Sequence, residues 1–275
     1  MRGEVRSLAA GDLSWFRGVL AADPVAHCFV ASRLEAIGAR VVSDVSVYAV
    51  EGHPLSALYL GANVIPIATD DESREAFAAQ LARSGRRGSS MVGPAHEVLD
   101  LWDRVRHAWG RPREERRHQP LLSIASNSPV AGDERVRPVR IDELDLLLPA
   151  CVARFTEEVG GSPLSGGAAG AYRARIAELI RDGRAYARID GDEVVFKAEV
   201  GAASTRACQV QGVWVAPDRR GQGLSTPGMA AVVKAARREC APLVTLYVND
   251  YNEAARRCYD AVGFEEVGEF ATILF

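Results

Sequence analysis

One stretch, VWVAPDRRGQGLSTPGM, constrains the fold of this chain more than any other. Apolar residues 213–215 predict a strand, Gly221 and Gly223 form a turn, and a helix-forming segment follows with Pro227 in its first turn. Glycine has no Cβ atom, so the backbone N–H groups of such a turn can approach a ligand closely. The first turn of a helix adds unpaired N–H donors and a positive dipole end. The stretch therefore predicts an anion site that suits a pyrophosphate.

Two common phosphate-binding motifs do not fit this turn. A Walker A motif would need a lysine where Met229 follows Gly228, and a dinucleotide fingerprint would need a third glycine where Thr226 stands. Taken alone, the two glycines also fit a tight strand-to-helix turn that binds nothing.

The composition is that of an ordinary globular protein, with 48% hydrophobic and 25% charged residues, and 275 residues suffice for two domains. A net charge of −3 argues against general binding to nucleic acid or to a membrane surface. Five scattered cysteines without a CxxC pair predict reduced, mostly buried thiols in a cytoplasmic protein. We expect no secretory signal, no membrane span and no metal site.

The chain divides near its middle, at SIASNSPVAGDERV, where small polar residues, Pro129 and Gly132 show no periodicity. We predict a first domain at residues 1–122, a linker at 123–134 and a second domain at 135–275.

The second domain has the clearer pattern. DELDLLLPACVARFTEEVG predicts a helix that Pro149 should kink or interrupt, and ARIDGDEVVF predicts a hairpin whose Asp190-Gly191 turn favours type I′. ACQVQGVWVAP predicts the strand before the glycine turn, and later strands alternate with helices. Hairpins followed by this alternation indicate an α/β fold with a mixed (α+β) sheet and helices packed on it.

The glycine turn resembles motif A of the GNAT N-acetyltransferase superfamily, in which Arg/Gln-x-x-Gly-x-Gly/Ala follows a strand. These places are held by Arg220, Gly223 and Ser225, where a serine, also small, stands in place of the glycine or alanine of the pattern. LYVNDYNEAARRCYDAVGF resembles motif B, with the matching residues Asn252, Ala255, Tyr259, Gly263 and Phe264. The order of elements over 135–275 also matches the GNAT fold, so the resemblance covers about the C-terminal half.

This resemblance implies acetyl-CoA, or another acyl-CoA, as co-substrate. Its pyrophosphate would lie on the amides of 220–225, and its pantetheine would pair along 213–215 like an added strand. Two neighbouring parallel strands must separate to admit it, and a bulge at Gly212 would begin that separation. The implied cofactor-binding residues are Val213, Trp214, Val215, Arg220, Gly221, Gln222, Gly223, Leu224, Ser225 and Asn252.

The resemblance also implies how the thioester reacts. A backbone N–H near residues 213–215 would stabilise the oxyanion, and Tyr259 would protonate the leaving thiolate, since a phenol with a pKa near about 10 is protonated at pH 7. By itself, the spacing of Ala255, Tyr259 and Val262 favours a core aromatic. Asn252 also suits the N-cap of the helix that follows it.

The general base is the weakest part of this assignment. Many relatives carry a glutamate on the strand that here contains Gln209 and Gln211, and an amide cannot accept the proton. Glu199, on the preceding strand, is the candidate base, with Glu157 and Glu158 as others. Each also fits a solvated surface carboxylate. A chain of waters, or an amine that arrives neutral, is a further alternative.

The first domain carries less information. DPVAHCFVASRLEAIG predicts a helix from Pro24, capped by Asp23, to Gly38, and no motif A turn is present. The region resembles the uncharacterised domain that precedes acetyltransferase domains in some actinobacterial proteins. It implies a degenerate GNAT-like α/β domain, in tandem with the second, that does not bind CoA. We interpret as packing or surface residues His27, His96 and Trp102.

The sequence therefore predicts an acyl-CoA-dependent N-acyltransferase that moves an acetyl group from acetyl-CoA to a primary amine by direct attack in a ternary complex. The alternative is a non-catalytic acyl-CoA-binding sensor. The partners expected are acetyl-CoA and an amine on a small molecule or a protein, without nucleic acid or membrane. A homodimer is left open.

Overall fold

The computed structural model describes residues 3–275, apart from the side chains of Ala39, Val41 and Val42. Its contacts divide the chain into two units. The first unit contains residues up to Leu122 together with two later segments, Tyr247–Asn252 and Glu266–Phe275. The second unit contains Ser123–Leu246 and Glu253–Glu265.

The strands and helices alternate along the chain. The strands are β1 (Glu4–Ser7), β2 (Val45–Val50), β3 (His53–Leu60), β4 (Asn63–Ile67), β5 (Ser90–Pro94), β6 (Glu114–Ile124), β7 (Arg137–Pro138), β8 (Ala185–Asp190), β9 (Glu193–Ala203), β10 (Ala207–Val215), β11 (Leu243–Tyr247) and β12 (Glu265–Leu274). The α-helices are α1 (Leu13–Ala22), α2 (Cys28–Ile37), α3 (Asp71–Ser84), α4 (Ala95–Trp109), α5 (Leu144–Val159), α6 (Ala169–Arg181), α7 (Ser225–Glu239) and α8 (Glu253–Val262).

The first unit is a sheet covered on both faces. Its strand order is β1-β2-β3-β4-β5-β12-β6, with β4 and β5 parallel. Successive strand residues point to opposite faces, so Val47 packs with α1 and α2 whereas Tyr48 packs with α3 and α4. The strands are therefore apolar on both sides, as sheets covered by helices are.

The last strand of the chain, β12, belongs to the first unit. It pairs antiparallel with β5 from Phe270↔Pro94 to Leu274↔Ser90. Ala271 and Ile273 are fully buried in the core that contains Trp102. The first unit is therefore assembled from both ends of the chain, which the division at residues 122 and 135 did not foresee. That division stays a prediction.

The second unit has the strand order β11-β10-β9-β8-β7, in which β10 and β11 are parallel and the other pairs antiparallel. Helices α5 and α6 share a core with strand residues such as Ala187 and Val194. Helix α7 buries Met229, Val233 and Ala236, whose spacing places them on one face of the helix.

Three local predictions are wrong in detail. Helix α2 begins at Cys28, because the side chain of Asp23 accepts the Ala26 N–H in a separate turn before it. Helix α5 continues through Pro149, so the predicted interruption is wrong, whereas a kink there stays a prediction. The proline nitrogen has no hydrogen to donate to the carbonyl of Asp145, which is exposed.

The third concerns the hairpin between β8 and β9. Asp190 pairs with Glu193, so the two central residues are Gly191 and Asp192. Gly191 has a φ of +63°, and Asp192 is not among the described residues with positive φ. A positive φ at the first central residue alone is the pattern of type II′, whereas type I′ requires it at both.

Within residues 3–275, no helix has the length and apolar character needed to cross a membrane.

Candidate functional site

The predicted anion turn lies between β10 and α7. A short 3-10 turn, Pro217–Arg219, follows β10, and Gly221 and Gly223 both have a φ of +75°. A Cβ atom on either glycine would meet nothing within 4 Å. Glycine is therefore needed here for the left-handed backbone and not for packing, and the space in front of the turn is open.

Helix α7 begins at Ser225, with Leu224 as its N-cap residue. Its i→i−4 hydrogen bonds begin with Gly228 N–H, which donates to the Leu224 carbonyl at 3.1 Å. The Gln222 side chain donates to the Asp218 carbonyl at 3.1 Å and steadies the start of the turn. The amides of the turn therefore lie at the positive end of the α7 dipole, as an anion site requires.

Strand β10 has a bulge at Gly212, as predicted. Gln211 pairs with Glu199 and Trp214 with Lys197, so two residues of β10 face one residue of β9. Gly212 has a φ of +63°, which fits the bulge type whose first residue is a left-handed glycine.

Strands β10 and β11 pair over only part of their length. Their parallel register runs from Ala207↔Leu243 to Gln209↔Thr245, while β10 continues to Val215. The bulge at Gly212 comes three residues after Gln209, and a bulge bends the strand that contains it. The edge of β10 from Val210 onward is therefore the place where an extended chain could add as a further strand.

Helix α5 contacts this part of β10 through polar side chains. Arg154 Nε donates to the Val213 carbonyl at 3.0 Å. Glu157 Oε1 accepts from Trp214 Nε1 at 3.3 Å, and both Glu157 oxygens accept from Arg220 Nη2, at 2.9 and 2.8 Å. Arg220 Nε also donates to the Val215 carbonyl at 3.1 Å. One face of α5 therefore holds both β10 and the first residue of the turn.

These contacts account for two of the three carboxylates considered as the base. Glu157 forms an ion pair with Arg220, and Glu158 forms one with Arg154. The Arg220 and Glu157 side chains are 48% and 43% exposed, so this pair stabilises the fold little. Its consequence is geometric, because it holds Arg220 toward α5.

Glu199, the third carboxylate, is buried in a polar cluster. Glu199 Oε2 accepts from Lys197 Nζ at 3.0 Å, and Oε1 accepts from Gln211 Nε2 at 3.0 Å. Lys197 Nζ also donates to Cys151 Sγ at 3.3 Å. Burial alone would raise the pKa of the Glu199 carboxyl, but the Lys197 charge and the Gln211 hydrogen bond hold it below its usual value. A carboxylate with a lowered pKa accepts a proton poorly, so Glu199 fits the predicted base role poorly.

Tyr259 lies on α8 and is 7% exposed. Its ring meets Phe264 edge-on, with 5.8 Å between the centroids. Burial raises the pKa of its phenol above the usual value. Tyr259 is thus both a packed aromatic and a protonated donor, and the two interpretations made from the sequence are compatible.

Asn252 immediately precedes α8 and belongs to the first unit, where its N–H donates to the Asn249 carbonyl at 2.9 Å. Its contact with a cofactor stays a prediction.

The remaining singled-out residues are consistent with packing or surface positions. His27 is buried, His96 is exposed, and Trp102 is buried with its indole N–H donating to Glu115. None of the five cysteines forms a disulfide bond within residues 3–275, and four of them are buried, in line with the prediction that most are buried. Among residues 3–275, no group of three or more His, Cys, Asp or Glu side chains is arranged to hold a metal ion.

The sequence did not indicate Arg154 or Cys151, because helical spacing alone does not say which polar residue meets the strand. One feature of the sequence does single out Lys197. It is one of only two lysines among 33 basic residues, and it stands inside an apolar strand.

The comparisons with known proteins agree with this arrangement. Residues 174–264 match the model of the acetyltransferase (GNAT) family. This match places a GNAT acetyltransferase domain at residues 174–264. Residues 45–147 match a second model, described as a domain of unknown function, DUF4081. The resemblances stated for both halves are confirmed, and the GNAT match supports acetyl transfer from acetyl-CoA.

Solved structures extend the similarity to nearly the whole chain. A GNAT-family acetyltransferase from Colwellia psychrerythraea is 12% identical with a TM-score of 0.60, and the match covers 99% of both chains. A GCN5-related N-acetyltransferase from Sphaerobacter thermophilus is 14% identical with a TM-score of 0.60, covering 98% of this chain and 94% of that one.

A third solved structure is that of a tandem GNAT protein from the clavulanic acid biosynthesis pathway. It is 16% identical with a TM-score of 0.57, covering 99% of this chain and 98% of that one. At these identities the likeness shows the fold, and it confirms the predicted tandem GNAT architecture. A search of curated proteins found no match.

Proposed function

We propose that the second unit binds acetyl-CoA and transfers its acetyl group to a primary amine. The observation that carries the proposal is that β10 continues past its ladder with β11 and ends at a glycine turn with an open front. The β10 edge suits the amides of pantetheine, and the turn suits the pyrophosphate.

The transfer is a direct attack in a ternary complex. The amine nitrogen bonds to the thioester carbon, and the carbonyl oxygen becomes an oxyanion that a β10 N–H stabilises. The C–S bond then breaks, the thiolate takes the proton of Tyr259, and the nitrogen of the new amide gives up its surplus proton, which restores the phenol. The phenol is protonated at neutral pH, since its usual pKa near about 10 is raised further by burial.

The acceptor amine must lose its ammonium proton before it attacks. Glu157, Glu158 and Glu199 are poor acceptors for this proton, because each is paired with a cation. We propose that the amine loses its proton to water before attack. The value of kcat/KM should then rise with pH toward the pKa of the acceptor, about 10.4 for a lysine-like amine.

The same pairing favours the second candidate function, a sensor that binds acyl-CoA without turnover. CoA release from acetyl-CoA, measured with polyamines, aminoglycosides and lysine peptides against an amine-free control, separates the two. An enzyme releases CoA in proportion to acetylated product. A sensor binds acetyl-CoA in calorimetry and releases none above the control.

Replacing Gly223 with alanine should weaken acetyl-CoA binding at least tenfold, about 1.4 kcal/mol. The methyl group would enter the open space before the turn, and the φ of +75° is strained for alanine by about 1–2 kcal/mol. Gly183→Ala is the matched control, because Gly183 has a φ of +67°, also with nothing within 4 Å, at the end of α6. Both variants should lose similar stability, and only Gly223→Ala should lose affinity in calorimetry. Equal affinities would show that the turn holds no phosphate.

A further inference from the structure

Lys197 and Glu199 form a buried ion pair that the transfer chemistry does not use. The two residues are 3% and 8% exposed, with 3.0 Å between Lys197 Nζ and Glu199 Oε2. Burial alone would lower the pKa of the lysine, but the charge of Glu199 raises it, so both groups are charged.

The pair lies directly against the β10 bulge. A Cβ atom built on Gly212 would come within 3.0 Å of Glu199 Cδ and 3.1 Å of Lys197 Nζ. These distances are shorter than ordinary van der Waals contacts, so the pair would have to shift to admit a Cβ atom, and only glycine readily adopts the φ of +63° found here. The pair and the bulge therefore fit together as one element.

A gain in folding stability does not explain a buried ion pair of this kind. Removing two charges from water costs several kcal/mol for each ion, and apolar residues of the same volume commonly stabilise a fold as well or better. A lysine is also unusual in this chain, which has arginine at all but two of its 33 basic positions. The compact ammonium of a lysine fits beside Gly212, Cys151 and Glu199. The guanidinium of an arginine is planar and larger, so it would need more space there.

The bulge is held from its other end as well. The Val213 carbonyl, one residue further along β10, accepts from Arg154 Nε at 3.0 Å. The backbone of residues 212–213 is therefore fixed between the ion pair and α5, just beyond the last register pair with β11. The direction of the backbone at residues 212–213 determines where the N–H groups of the following β10 residues point.

We propose that Lys197 and Glu199 are positioning residues that fix the Gly212 bulge and thereby aim the β10 N–H groups at the acetyl carbonyl, an inference that rests on the proposed function. They touch neither the amine nor the thioester. Their effect should fall on the acetyl group and spare the rest of the cofactor, because acetyl-CoA and CoA share the pantetheine and pyrophosphate contacts.

The test compares acetyl-CoA with CoA by calorimetry in the full chain. The double variant Lys197→Met and Glu199→Gln removes both charges at similar volume, so no unpaired ion is left buried. We expect an unchanged Kd for CoA and a Kd for acetyl-CoA about fivefold weaker, the loss of one neutral hydrogen bond of about 1 kcal/mol. Where turnover is measurable, kcat should fall by about 10² or more, as when an oxyanion donor is lost.

The control removes another ion pair of the same unit, Arg137 with Glu143, by Arg137→Met and Glu143→Gln. It should leave the ratio of the two Kd values unchanged. Gly212→Ala tests the same contact from the bulge side, since its methyl group must displace the pair, and it should shift the ratio in the same direction. It also decides the matter if the double variant does not fold.

An unchanged ratio in the double variant, or in Gly212→Ala, overturns the positioning role and leaves the proposed function intact. A wild-type protein that binds neither acetyl-CoA nor CoA overturns both.

Discussion

Removing the last ten residues, 266–275, should abolish cooperative folding of the first unit. The deletion takes β12 out of the sheet between β5 and β6, and with it two fully buried side chains, Ala271 and Ile273. Phe275 leaves too, and its ring lies 5.7 Å from Trp102 and 5.3 Å from Trp109, centroid to centroid. Tryptophan fluorescence during urea unfolding is the measurement, because both indoles report on this core.

Single substitutions in β12 test the contribution of this strand to the stability of the first unit. Ile273→Ala should lower the free energy of unfolding by about 2–5 kcal/mol, since Ile273 is fully buried. Val267→Ala, on the same strand but 52% exposed, should change it by less than about 0.5 kcal/mol. A truncated protein that unfolds at the wild-type urea concentration would show that β12 is dispensable for the first unit.

Replacing Tyr259 with phenylalanine should lower kcat by about 10²-fold or more, within the usual range for general acid catalysis. The ring and its edge-on contact with Phe264 remain, so the free energy of unfolding should move little. KM for acetyl-CoA should barely change, because the lost interaction belongs to the transition state. Initial rates of CoA release, with the chemical step limiting, are the measurement.

The matched control is Tyr186→Phe, which removes the hydroxyl of another buried tyrosine of the second unit, on β8. It should leave kcat unchanged. The pH profile adds a second check. Because burial raises the Tyr259 pKa above about 10, the phenol should contribute no alkaline decline of kcat below that pH. Wild-type kcat in Tyr259→Phe would leave the residue as core alone.

Local features of the second unit could be predicted because each has a local cause. Gly221 and Gly223 need a left-handed backbone wherever a strand turns so tightly into a helix, and an isolated Gly212 in an apolar strand indicates a bulge. The turn type at Gly191 was missed because Asp-Gly and Gly-Asp both fit a two-residue loop, and strand register decides between them.

Long-range features could not be predicted in the same way. The segment FEEVGEFATILF indicates a strand, but not that β5 is its neighbour. Its burial does not alternate either, since residues 265–269 are exposed and residues 270–273 are buried where β12 pairs with β5. Glu199 resembled a free carboxylate on a strand. Its pairing with Lys197 follows from the i, i+2 spacing, but its burial depends on Cys151 and the packing of α5. The periodicity of the sequence does not show which helix packs over a given strand residue.

Hydrogen exchange of the full chain, with and without saturating acetyl-CoA, tests the central claim most directly. Pantetheine on the β10 edge and pyrophosphate on the turn would occupy backbone amides of residues 210–226, so peptides from this region should exchange more slowly with the ligand bound. Peptides from residues 3–109, in the first unit, should be unaffected. Slower exchange confined to the first unit, or none in residues 210–226 at saturation, would contradict the account.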